Sequence, residues 1–116
     1  MKIICESKKI SVDELKKMAE ETFGELVKAT VDVEKEIIVV GGDLHSDQES
    51  LLLEQGSKQN NVWGINLYPF KYPNSEWIEF DSMINLRPFL GNKSRSVEDP
   101  LIREKIIKVL DKLIIK

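Results

Sequence analysis

The chain is short of every residue type on which a disulfide, a cysteine-rich metal centre or a membrane span depends. Among 116 residues it has one cysteine and one histidine. Cys5 has no partner for an internal disulfide, and no zinc site made of several cysteines can be assembled. Set in the short apolar run Ile3 to Cys5, it reads as a small buried side chain rather than a nucleophile. Met1 and Lys2 lead only into that run, so neither a secretion signal nor a spanning segment is expected. The protein is accordingly read as cytoplasmic with no membrane partner, and the Asn92-Lys93-Ser94 tripeptide as without consequence for glycosylation. No His-Glu-x-x-His pair exists, and Gly41-Gly42 is not followed by Gly-Lys-Ser/Thr, which removes the usual zinc-protease and phosphate-loop signatures. A basic excess is absent too: the formal net charge of -3 argues against a protein that coats nucleic acid.

What is present suits one folded domain spanning residues 1–116. Apolar residues make up 41% and charged residues 32%, enough to bury a core and leave a charged surface. Lys2 to Cys5 reads as a short strand. Ser11 and Glu14 have capping-box spacing ahead of Leu15, Met18, Ala19, Thr22 and Phe23, with Gly24 as a stop, which predicts a first helix. Val27, Ala29, Val31 and Val33 alternate with Lys28, Thr30 and Asp32, the period of a half-buried strand. The continuous run Ile37 to Val40 suits a strand covered on both faces. Ser46 with Glu49 predicts a cap for a short second helix that ends before Gly56.

Val62 to Tyr68 follows as a strand, and Pro69 to Ser75 as a loop. Trp77 to Arg87 is expected to return as another strand, with Ile78, Phe80, Ile84 and Leu86 facing the core, Glu79, Asp81, Asn85 and Arg87 facing water, and a bulge near Asp81 to Met83. A last helix begins near Val97 or Pro100, capped by Ser96 or Asp99, with Ile102, Ile106, Val109, Leu110, Leu113 and Ile114 as its stripe. The fold class is α+β: a mostly antiparallel five-stranded sheet with three helices, in the order β-α-β-β-α-β-β-α. Ile107 and Ile115 widen the last stripe, and together with Ile37 to Val40 they suggest a homodimer.

Five stretches carry a resemblance: Gly41-Gly42-Asp43-Leu44-His45, Leu53 to Ser57, Trp63 to Pro69, Phe80 to Asn85 and Ser94 to Pro100. Through them nearly the whole chain resembles an uncharacterised family of short prokaryotic proteins, a domain of unknown function. The resemblance implies a single small domain of this length and brings no catalytic residue or cofactor with it.

Two segments of opposite charge remain for chemistry. From Glu36 to Glu54 there are five acids and no lysine or arginine; from Met83 to Arg95 there are three bases and no acid. In the first, Asp43, His45 and Asp47, with Glu36, are ligand types for a divalent metal, and they would make the chain a small metal-dependent hydrolase. The commoner reading of Asp43, Asp47 and Glu49 is as carboxylates favoured at a helix start by its dipole, with His45 exposed and no cofactor. In the second, Arg87, Asn92, Lys93, Ser94 and Arg95 form a strand-loop-helix surface for an anionic partner such as RNA or a nucleotide. Seven of the eight aromatics lie between Trp63 and Phe89, where some could stack on bases. The plain alternatives are a solvated loop whose arginines pair with Asp81 or Glu98, and a chain that serves assembly alone. The leading reading is a non-catalytic binding module.

Overall fold

A computed structural model describes residues 1–116. The elements are β1 (Lys2–Ile4), β2 (Ile10–Ser11), α1 (Val12–Glu21), β3 (Val27–Asp32), β4 (Ile37–Val40), α2 (His45–Glu54), β5 (Val62–Leu67), β6 (Ile78–Glu79), α3 (Pro100–Leu113) and β7 (Ile114–Ile115). Five strands form one sheet in the order β1-β4-β3-β5-β6, antiparallel throughout. The α+β class and the three helices are those read from the sequence. Two helix caps are also as expected: Ser11 accepts a hydrogen bond from the Glu14 N–H at 3.0 Å, and Asp99 accepts one from the Leu101 N–H at 2.9 Å.

The sheet separates two unequal cores. On one face α1 and α3 press Leu15, Ala19, Ile106, Val109, Leu110 and Leu113 against Ala29, Val31, Ile38, Trp63, Ile65 and Leu67. On the other, α2 contributes little more than Leu52 against Val39 and Val62. Ile38, Val39 and Val40 are fully buried between these layers, as a continuous apolar strand should be, and they are therefore not free to form a dimer face. No helix is long and apolar enough to cross a membrane.

Four expectations are corrected by the structure. β3 is central rather than half-wet, and its polar residues are covered by α2: Thr30 donates to Gln48 Oε1 at 2.7 Å, while Gln48 Nε2 donates to the carbonyls of Lys28 and Gly41 at 2.8 and 2.6 Å. The second helix starts at His45 with Leu44 in the cap position, so Ser46 lies inside the first turn and caps nothing. Cys5 is half-exposed in a turn, 3.3 Å from the Ser7 hydroxyl, and not a buried strand residue. Finally, the chain end leaves helical geometry at Ile114 and runs parallel to β2, pairing Ile10 with Ile114 and Ser11 with Ile115.

The expected strand from Trp77 to Arg87 is the largest departure, because only Ile78 and Glu79 pair with β5. Beyond them the backbone turns through tight helical turns at Met83–Asn85 and Pro88–Leu90. The alternation in the sequence is real, and Glu79 and Asp81 do reach solvent, but Asn85 and Arg87 face the sheet edge instead of water. Asn85 accepts from the Gly64 N–H and donates to the Gly64 carbonyl, each at 2.9 Å, and Arg87 donates to the Val62 carbonyl at 2.6 Å. Side chains thus take the ladder positions that a longer β6 would have filled. Glycine is required at 64 for this approach, since a Cβ there would lie 2.6 Å from Ser82 Cβ.

Candidate functional site

The two charged segments meet across this side-chain-capped edge. His45, the first residue of α2, turns inward beneath the helix and is 8% exposed. Its Nε2 lies 2.8 Å from the Ile65 carbonyl, which can only accept, so Nε2 carries the hydrogen and Nδ1 is the lone-pair nitrogen of the neutral ring. Nδ1 has no hydrogen-bond partner within the protein. His45 borders a cavity of about 160 Å³ lined also by Lys28, Leu44, Ser46, Ser82, Met83, Ile84 and Arg95. Lys28 arrives from β3, His45 and Ser46 from α2, and Ser82 and Arg95 from the polypeptide that caps β5.

The cavity is rich in donors. Leu44 offers no capping side chain, and the N–H groups of His45, Ser46 and Asp47 find no acceptor inside the protein, which leaves the positive end of α2 open. Lys28 makes no ion pair; its ammonium lies 5.2 Å from the centre of the Phe23 ring. Arg95 is bound by Asp81 through two contacts of 2.9 and 3.2 Å, both partners being about half exposed, so this pair is held loosely and screened by solvent. The main chain of Arg95 is fixed more firmly, for its carbonyl accepts from the Ser82 N–H and from Asn85 Nδ2, each at 3.0 Å.

Burial is the main cause that pushes the His45 imidazole below its ordinary pKa; the Ile65 carbonyl opposes it, Lys28 and Arg95 add to it, and Asp81 opposes it. The unfolded chain therefore takes up this proton first, so His45 should cost the fold stability as pH drops from about 6.5, the ordinary histidine value. His45→Gln keeps an N–H for the Ile65 carbonyl. In urea unfolding followed between pH 7 and 5, that variant should lose less stability than the parent.

The residues expected to act together do not all do so. Of the five in the anion surface, only Arg95 lines the cavity. Arg87 is 2% exposed, paired with Glu49 at 3.2 Å and stacked 4.9 Å from the Trp63 ring centre. Asn92 is equally internal: its amide donates to the carbonyls of Asn85, Ser94 and Ser96 and its oxygen accepts from the Glu98 N–H. Lys93 is exposed and unpaired, and Ser94 accepts from the Ser96 N–H. Asp43 and Asp47 are exposed while His45 is buried: Asp43 precedes the helix, and Asp47 lies two positions after His45, on a different face of it. No three histidine, cysteine or acidic side chains come together as a metal site would need. Nothing in the sequence marks Lys28, Ser46 and Ser82 as site residues: Lys28 reads as a polar strand position, Ser46 as a helix cap and Ser82 as part of a bulge.

A family model described as "Protein of unknown function (DUF5674)" matches residues 2–113, which accords with the resemblance seen in the sequence. No curated protein and no solved structure matches the chain.

Proposed function

We propose that this chain, which belongs to the DUF5674 family, is a binding module that seats one anionic group in the Lys28, His45 and Arg95 cavity. The observation that supports it is that two cationic residues, an inward histidine and the uncapped start of α2 border one small, half-open cavity. Donors arranged in this way favour a phosphate or carboxylate, and the helix end adds its partial positive charge. The expected basic surface is thereby narrowed from the run Arg87 to Arg95 to the single residue Arg95, joined by Lys28 from a strand far away in sequence. A cavity of about 160 Å³ holds one such group and not a whole nucleotide. Any larger acidic partner, RNA included, would enter through a terminal group and leave the rest on the surface beside Leu44 and Met83.

Calorimetric titration with sodium phosphate at low salt should give saturable binding that weakens as salt is raised. Lys28→Ala and Arg95→Ala should each weaken it by about ten- to a hundredfold, the range for a lost hydrogen bond to a charged group. Asp81→Asn should act in the opposite direction, since it releases Arg95 from its carboxylate. Lys93→Ala, outside the cavity, should change nothing. Absence of binding by phosphate, carboxylates and nucleotides alike would refute the reading.

A further inference from the structure

The donors in this cavity are numerous, but the geometry includes one acceptor that an ordinary anion site would not need. Because His45 Nε2 is committed to the Ile65 carbonyl at 2.8 Å, Nδ1 of the neutral ring presents a lone pair. The residue is more than nine-tenths buried overall, no protein group bonds its Nδ1, which is not among the fully covered polar atoms, and His45 lines this cavity. The other groups around it only donate or are free to donate. Lys28 and Arg95 have no acceptor atoms, and the Ser82 oxygen already accepts from the Ile84 N–H at 3.3 Å, so its hydrogen is available. Ser46 and the first-turn N–H groups complete the ring of donors.

We propose that the ligand of this cavity is an anion that carries its own hydroxyl hydrogen, namely free hydrogen phosphate, with that hydrogen donated to His45 Nδ1 and the remaining oxygens accepting from Lys28, Arg95 and the start of α2. The inference rests on the anion-binding reading above and goes beyond it in selecting the ion. Sulfate has the same shape and charge but no hydrogen, so it would set an oxygen against the Nδ1 lone pair, an acceptor-acceptor contact that no other group in the cavity compensates. A phosphate monoester retains a hydroxyl only below its second pKa near 6, so at neutral pH most of it meets the same obstacle. The charged groups that face His45 are Lys28 from β3, Arg95 from the loop before α3 and Asp81 from the loop after β6. The two cations, together with burial, keep the ring neutral and the lone pair available.

Calorimetry at pH 7.5 with sodium phosphate, sodium sulfate and methyl phosphate tests this. Phosphate should bind about tenfold or more tightly than either of the others, as expected when one buried hydrogen bond is replaced by a clash of acceptors. Repeating the titrations in buffers of different ionisation enthalpy should show that sulfate binds with uptake of about one proton by His45, and phosphate with close to none. His45→Phe, checked for folding by circular dichroism, should bring phosphate and sulfate to similar affinity. Equal affinity of the parent protein for phosphate and sulfate, with equal proton uptake, would overturn the selectivity while leaving an anion site in place. No binding by either ion would overturn both.

Discussion

Arg87→Ala should lower the unfolding free energy by about 3–5 kcal/mol, the range for removing one partner of a buried ion pair. Three losses coincide. Glu49, itself mostly covered, keeps a carboxylate with no counter-ion; the Val62 carbonyl loses the donor at 2.6 Å that closes the edge of β5; and the face of Trp63 loses the guanidinium stacked on it. Burial already pushes Arg87 below its usual pKa, with Glu49 opposing the shift, so the charge is tolerated only because it is paired. Arg87→Lys should recover part of the loss, since both bonds leave the single nitrogen Nη2, whereas the planar stack on Trp63 cannot be reproduced by an ammonium. Urea unfolding measures all of this. A loss under about 1 kcal/mol, as for an exposed pair, would mean that the guanidinium is not internal.

Asn85→Ala is expected to cost about 3 kcal/mol or more, because a truncated side chain leaves the buried N–H and carbonyl of Gly64 without partners and frees the Arg95 carbonyl. Its effect should reach the cavity as well. The Arg95 main chain is held by Asn85, so phosphate affinity should fall even though residue 85 does not line the site.

Asn85→Asp separates the two halves of the amide. The acceptor toward the Gly64 N–H survives, but at neutral pH a carboxylate would face the carbonyls of Gly64 and Arg95, which raises its folded pKa above the unfolded value near 3.9. Protonation restores a donor, so this variant should become more stable, relative to the parent, as pH is lowered from 7 toward 5. A stability difference that does not move with pH would show that residue 85 is solvated.

These two residues also mark the boundary of what the sequence made legible. Helix α1 could be read because Ser11 and Glu14 act within one turn, and β4 because a continuous apolar run has one good use in a layered fold. Both signals are local. Asn85 and Arg87 gave an equally clear local signal, alternation with Ile84 and Leu86, and it pointed the wrong way. Period-two polarity separates a face that meets apolar atoms from one that meets hydrogen-bonding groups, and here the hydrogen-bonding groups belong to β5 rather than to water. Thr30 and Asp32 were misread for the same reason, because the partner of Thr30 is Gln48 in α2. The candidate site was half visible. His45 and Arg95 stood out as the lone histidine and the end of a basic run, but Lys28 enters through the β3–β5 register, which no spacing along the chain expresses.

The pairing of β2 with β7 carries a consequence for how the chain reaches this state. Ile10 and Ser11 find partners only at Ile114 and Ile115, so the small parallel ladder closes a loop almost as long as the protein. Hairpin β3–β4 can form early, since its strands are joined by four residues, whereas β2–β7 must wait for the intervening chain to be arranged. During synthesis α1 can form but cannot be clamped at its start until residue 115 has left the ribosome. In refolding, this ladder should acquire hydrogen-exchange protection late, after the central sheet has become protected.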